Sequence, residues 1–300
     1  MKNLTLLSII FITFVACKKD QHKQKYTTIN YLEVNKIQEN LNKLLQGDVY
    51  KVWRENACFN DSLGDKHLTF VGTSHNQDTT HAQFQIIEEL FNEVKPQIAF
   101  NEGGNSKIAG KYKSRNEAIL GSGEVGLLQF LCDKNHIKMI NGDMPDKDEY
   151  KVLFSEYPFE KVYLSIGIER FVNPYKNGAY KELDIKTAFE TKFIVRDFVN
   201  NDIKLTKEQA TFNYLKKIYQ KYTGRELTIE TMEPMQDYFL SNQTEFGVLH
   251  RRSKEIRDSV LLNKIDSTLD KKDRVFVVFG ASHLLALKPA LKQIINRKRE

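Results

Sequence analysis

The sequence predicts an α/β fold, with a central, mainly parallel sheet flanked by helices and a helical insertion before the last strand. Three observations carry this. Short apolar or β-branched runs at residues 68–71, 98–100, 137–140 and 275–279 lack polar alternation, the pattern of strands buried on both faces. Amphipathic helical patterns separate the first three, as βα units require. The first and last runs end in one cassette, Gly72-Thr73-Ser74-His75 and Gly280-Ala281-Ser282-His283.

Taken in order, the chain opens with Lys2, an apolar run at residues 4–15, and Phe14-Val15-Ala16-Cys17 in the form of a lipobox. That run is shorter than the about 20 apolar residues a membrane-spanning helix needs. Residues 1–16 therefore read as a secretory signal cut before a lipidated Cys17, the alternative being an uncleaved anchor or an ordinary signal. Residues 17–29, with the polar stretch Lys18-Lys19-Asp20-Gln21-His22-Lys23-Gln24-Lys25, read as a flexible tether. The expectation is a cell-envelope protein, extracytoplasmic and held to a membrane by its lipid.

Residues 30–300 form the α/β domain. Helical spacing at Ile37, Leu41, Leu44 and Leu45 covers residues 31–45, and residues 50–65 read as irregular around the single Trp53. After the first strand, Phe84, Ile87, Leu90, Phe91 and Val94 line one helical face, which Lys95-Pro96 ends. A Gly-containing loop and a helix over residues 124–134 lead to the third strand. Residues 147–270 carry only helix-compatible patterns, at 162–171, 185–199, 208–222 and 251–269. They read as a helical cap over the strand ends, with an independently folding domain as the alternative. Lys and Arg number 45 against 39 Asp and Glu, a net +6 spread along the chain. No nucleic-acid motif accompanies it, so no nucleic-acid partner is expected. Cys58 and Cys132 are either one disulfide or two separate buried thiols.

In open α/β sheets ligands sit beyond the carboxyl ends of the strands. His75, Glu102 in Asn101-Glu102-Gly103-Gly104, Asp143 in Asn141-Gly142-Asp143, and His283 all stand there. A single histidine at such a place more often caps a strand; the duplicated cassette shifts the balance to a site. Two imidazoles and a carboxylate can hold a catalytic metal with one position open, with Asp143 as fourth ligand or as a partner orienting a histidine. A bound divalent ion brings the pKa of water down to roughly 7. A serine nucleophile fails, because the elbow G-x-S-x-G requires glycine where this chain has Asn76 and Leu284. Neither Cys58 nor Cys132 lies in a strand-end motif. Glu124 is either a general base or a first-turn helix charge. Arg257 is either an anion or oxyanion contact or part of a solvated helix face, and Arg115 is similar. His67, His81, His136 and His250 read as structural or surface residues.

The two Gly-x-x-His cassettes with Glu102 between them resemble the TraB/GumN/Tiki family, related in fold to ChaN-like proteins and erythromycin esterases. Residues 95–102 look like that family's second strand and glutamate, Glu255-Ile256-Arg257-Asp258 like its late arginine motif, and residues 277–287 like its closing strand and helix. The resemblance implies an erythromycin-esterase/ChaN-like α/β fold and a hydrolase site dependent on a divalent ion, Mn, Co, Zn or Fe, with metal-ligand roles at His75, Glu102 and His283. Metal-bound water would attack the amide or ester carbonyl of a peptide or small-molecule substrate, with Glu124 or Asp143 accepting the proton and Arg257 contacting an anion. The alternative is a non-catalytic lipoprotein that binds haem, iron or another metal, as ChaN-like relatives do. The Glu-Gly-Gly context and the long 147–270 region depart from the family, so substrate class does not carry over.

Overall fold

The computed structural model describes residues 26–44, 48–103, 110–180, 182–228 and 244–297. The expected signal at 1–16, the lipidation position Cys17 and the tether up to residue 25 lie outside the described residues.

The sheet has five strands in the order β1-β2-β5-β3-β4: β1 (Cys58–Leu63), β2 (Lys66–Thr73), β3 (Ile98–Asn101), β4 (Lys138–Asn141) and β5 (Arg274–Gly280). All pairings are parallel except β1 with β2. The chain thus has the expected α/β architecture with a mostly parallel sheet. β5, last in sequence, is central, and Val277 stands opposite both Phe70 and Phe100.

Alternation along β5 assigns its two faces. Val275, Val277 and Phe279 point into one core, with Leu261, Leu262 and Ile265 of α10 (Glu245–Leu269) and Leu287, Leu291 and Ile294 of α11 (Ala281–Arg297). Phe276 and Val278 point into the other, with Phe84, Ile87 and Leu90 of α3 (Ala82–Val94) and Leu127, Leu128 and Leu131 of α4 (Arg115–Lys134). Each such side chain contributes about 1.5–3 kcal/mol by leaving water, which explains why these strands show no polar face in the sequence.

Two elements stand where the sequence reads as irregular. α2 (Val49–Asn56) is capped by Asp48, whose side chain accepts from the Lys51 N–H, and it carries Trp53. β1 is an edge strand whose residues are all half-buried or exposed, so it has no continuous apolar run to announce it. At the other end of the described chain, residues 26–29, read as the end of the tether, are packed. Tyr26 is buried and donates to Asp266, and the Ile29 N–H donates to the Ala286 carbonyl at 2.9 Å. They lead into α1 (Tyr31–Leu44), where Tyr31 and Val34 pack on Leu285 and Ala286 of α11.

Among its described residues the insertion holds helices and turns and no strand. α5 (Asp146–Glu156) is followed by α6 (Phe159–Gly167), which runs through a π-helical turn, Ile168–Val172, into α7 (Asn173–Lys176). α8 (Ile185–Ala188) continues as a π-helix, Phe189–Phe198, and α9 (Phe212–Thr223) follows. Phe171, Phe189 and Phe193 form an aromatic knot with ring centroids 5.0–5.2 Å apart. This is a second core, and α10 joins the two. Phe246, Leu249 and Ile256 belong to the insertion's core, while Leu261, Leu262, Ile265 and Leu269 belong to the sheet's. Among the described residues no helix is long and apolar enough to cross a membrane.

Candidate active site

At the carboxyl ends of β2, β3 and β5 lies a cavity of about 350 Å³, lined by His75, Glu102, Arg257 and His283 together with parts of α1, α2 and the insertion. β2 and β5 are in register, Thr73 opposite Gly280, so their two cassettes turn off the sheet side by side. An added Cβ at Gly72 would come within 2.9 Å of the Ala281 Cα, so the first cassette's glycine is what lets the second pass so close.

His283 sits in the first turn of α11 with 3 % of its area exposed. Its Nδ1 lies 2.5 Å from Asp258 Oδ1, and the Tyr31 hydroxyl donates to the other oxygen, Oδ2, at 2.6 Å. A carboxylate only accepts, so Nδ1 carries the hydrogen and Nε2 of the neutral ring is left with its lone pair. The rings of Tyr31 and Phe279 meet the imidazole edge-on, fixing its plane. Burial, reinforced by the charge of Asp258, pushes the Tyr31 phenol well above its ordinary range, so it stays a neutral donor.

His75 is held in the same way on the opposite cassette. Its Nδ1 lies 2.7 Å from Glu124 Oε1; Glu124 is buried, while the imidazole is 80 % exposed. The hydrogen bond that His75 donates to Glu124 raises the His75 pKa, against the lowering effect of partial desolvation. Two features place this pair. Gln83 clasps the backbone of Ser74, accepting from its N–H at 3.0 Å and donating to its carbonyl at 2.9 Å. α4 breaks at Ser122 and Gly123, where Gly123 has φ 53° and a Cβ would lie 2.7 Å from the Asn76 carbonyl oxygen. Only glycine allows both that backbone and that approach.

Between the histidines, Glu102 is fully engaged. Arg257 Nη2 donates to Oε1 at 2.9 Å and the Gly280 N–H to Oε2 at 2.6 Å. Burial alone would push its carboxyl up, but His283 in its protonated form, Arg257 and the Gly280 N–H outweigh that and hold it below the usual range. Asp143 receives Arg257 Nε and Nη2 at 2.7 and 2.6 Å; burial raises its carboxyl too, and the guanidinium more than offsets this.

His75, Glu102, Arg257 and His283 therefore meet at one cavity, whereas Glu124 and Asp143 are not in its wall. Glu124 orients His75, and Asp143 clamps Arg257. Neither has the position of a proton acceptor for the cavity, because each carboxylate faces its partner. Arg257 has only 15 % of its side chain exposed, which removes the solvated-face reading. His250, read as structural or surface, lines the cavity 3.6 Å from Glu169, whose carboxyl burial raises but His250 draws down to about 2. His81 caps α3, and His67 bonds to Asn60. Arg115 is tied to Glu88. Cys58 and Cys132 are separate thiols, both pushed up to about 12 by burial.

Sequence reasoning missed Tyr31, Asp258 and Lys254. For Asp258 a signal existed: it lies three residues before Leu261, on the stripe of α10 that continues to Ile265 and Leu269, where an unpaired acid would be costly. For Tyr31 none existed, since its partner is 227 residues away.

The donor set meets a metal ion's requirements in part. Each histidine has Nδ1 on a carboxylate and Nε2 free, the orientation that serves metal-ligating imidazoles. His283 Nε2 lies 3.7 Å from Glu102 Oε1. Against this, Glu102 already binds Arg257 and the Gly280 N–H, and among the described residues no three His, Cys, Asp or Glu side chains are grouped to hold an ion. Comparison with known protein families, with curated proteins and with solved structures finds no match to this chain.

Proposed function

We propose that this chain is a hydrolase of amide or ester bonds whose reaction centre is the cavity between His75 and His283. One observation carries the reading. Two imidazoles at one cavity each have Nδ1 anchored to a buried carboxylate and, among the described residues, Nε2 without a hydrogen bond. Such an orientation prepares a histidine for proton transfer, worth typically about 10²–10⁴-fold in rate. His283, the more deeply buried, takes a proton from water as the water oxygen bonds to the substrate carbonyl carbon. His75, whose proton affinity Glu124 raises, gives a proton to the leaving amine or alcohol as the carbon–heteroatom bond breaks. Arg257 holds Glu102 in place and keeps it ionised.

The test is turnover of a panel of 4-nitrophenyl esters and fluorogenic peptides by the full chain in detergent, with and without a chelator. Hydrolysis lost in His283→Gln and in His75→Gln supports the reading; no turnover across the panel, or full turnover in both variants, ends it.

A second reading is favoured by the same free Nε2 atoms and by the resemblance to TraB/GumN/Tiki proteins: a divalent ion, Mn, Co, Zn or Fe, held by His75, Glu102 and His283. In that case the ion would supply Lewis-acid chemistry at the carbonyl. Metal content of the purified full chain, unchanged in His75→Ala and His283→Ala, would sink it. A Soret band on adding haem, lost in both variants without any turnover, would instead favour a haem- or iron-binding lipoprotein. The apolar run at residues 4–15 and the Phe14-Val15-Ala16-Cys17 motif support a lipid-anchored, extracytoplasmic location. Release from the membrane fraction in Cys17→Ser is the expected result.

A further inference from the structure

One cation in the cavity wall has, among the described residues, no counter-charge at ion-pair distance. Among the described residues the Lys254 ammonium makes no hydrogen bond and no ion pair, and its close contact is the face of the Tyr31 ring, 5.1 Å away. The other cationic or ionisable groups of the wall are engaged: Arg257 by Asp143 and Glu102, His250 by Glu169. Lysines with a structural task in this fold look different. Lys264 caps the carbonyls of Asn141, Gly142 and Asp143, and Lys288 donates to the Asn56 carbonyl. Burial pushes the Lys254 ammonium downward, and the more distant Glu169 and Asp258 pull it back without reaching ion-pair distance. A partly desolvated charge without a partner is unfavourable until an anion arrives.

We infer that Lys254 is the docking point for a carboxylate of the substrate, so that the cavity selects acid-bearing amides or esters over neutral ones. This rests on the hydrolase reading for the bond that is cut, but not for the anion that is held. The helix supports the placement. Lys254 is one turn before Asp258 on α10, about 6 Å along the axis, and Asp258 is the residue that fixes His283. A carboxylate at Lys254 therefore lies within a short spacer of a carbonyl presented to His283. A single ammonium is a point charge with three rotatable donors, enough to hold one carboxylate. The cavity volume of about 350 Å³ fits a small ligand.

The experiment uses two esters of equal length, 4-nitrophenyl hydrogen glutarate and 4-nitrophenyl methyl glutarate, with the full chain in detergent. The expected wild-type preference for the free acid is about tenfold or more in kcat/KM, carried by KM. Lys254→Met should abolish that preference by raising KM for the free acid, and Lys254→Arg should restore it. Equal rates on the two esters in the wild type, or a preference that survives in Lys254→Met, overturns the proposal. Binding separates it from the hydrolase reading. With lysines ¹³C-dimethylated, glutarate should shift the Lys254 resonance saturably and dimethyl glutarate should not. A glutarate shift without cleavage of any ester sinks the hydrolase and keeps the anion site; cleavage without a glutarate shift does the reverse.

Discussion

Asp258 holds His283 and is itself held by Tyr31: Oδ1 lies 2.5 Å from the imidazole Nδ1 while Oδ2 accepts the tyrosine hydroxyl at 2.6 Å. The buried acid is thus fixed at both oxygens, and the tautomer of the histidine follows from that acid. Asp258→Asn keeps the shape but presents an amide N–H that can turn toward Nδ1 and force the opposite tautomer. The expected outcome is a fall in turnover of about 10²-fold or more. ¹⁵N spectra of the imidazole should show the hydrogen moved to Nε2. Unchanged tautomer signals would refute the assignment even if the rate fell.

Gly123 is needed twice, for its φ of 53° and for the approach of the Asn76 carbonyl. Gly123→Ala should cost more than about 1 kcal/mol of stability in urea unfolding. It should also release His75 from Glu124. A variant as stable as the wild type would show that the kink in α4 tolerates a side chain.

His75 should titrate above the ordinary histidine value of about 6.5, because the Glu124 hydrogen bond outweighs burial. The sign follows from the folded pKa exceeding the unfolded one. The pair's contribution to stability is complete below the unfolded pKa and disappears as pH rises through the folded value. NMR of the His75 Cε1–H should give the raised midpoint, and Glu124→Gln should return it toward the ordinary value. An identical midpoint in the two proteins would contradict the pairing.

Arg257 neutralises two buried acids at once. Arg257→Met leaves Asp143 and Glu102 uncompensated, and about 3–5 kcal/mol of stability should be lost near neutral pH. Both carboxyls are depressed in the folded protein, so their contribution is present above the unfolded carboxylate pKa and lost as pH falls through the folded one. The gap between wild type and variant should therefore narrow in acid. A pH-independent gap measured by thermal unfolding would speak against this network.

The strands buried on both faces were legible because burial leaves residues 275–279 without a polar member, and the histidines because they stand after glycine at two such strand ends. What was not legible depends on distance and on the absence of pattern. β1 is a half-exposed edge, so no hydrophobic period marks Cys58–Leu63. Tyr31 looks like any first-turn aromatic of an amphipathic helix until α1 is laid on α11. The roles of Glu124 and Asp143 as orienting partners follow from where α4 kinks and where Arg257 reaches, which spacing alone does not give. The helices in the described part of residues 147–270 were readable, but the π-helical turn that carries Glu169 was not.

Among the described residues β5 is the last strand in sequence and the middle strand of the sheet. Until residues 274–280 leave the ribosome, β2 and β3 have no common neighbour, and each carries an unpaired apolar edge of the kind that invites aggregation. The pairings that complete the sheet join residues some two hundred positions apart in sequence, Val71 with Val278 among them, so assembly waits on a late, long-range closure. Without β5 the pairs β1–β2 and β3–β4 have nothing to join them into one sheet. The cavity waits on the same closure, because His283 is delivered by the element that follows directly from the closing strand.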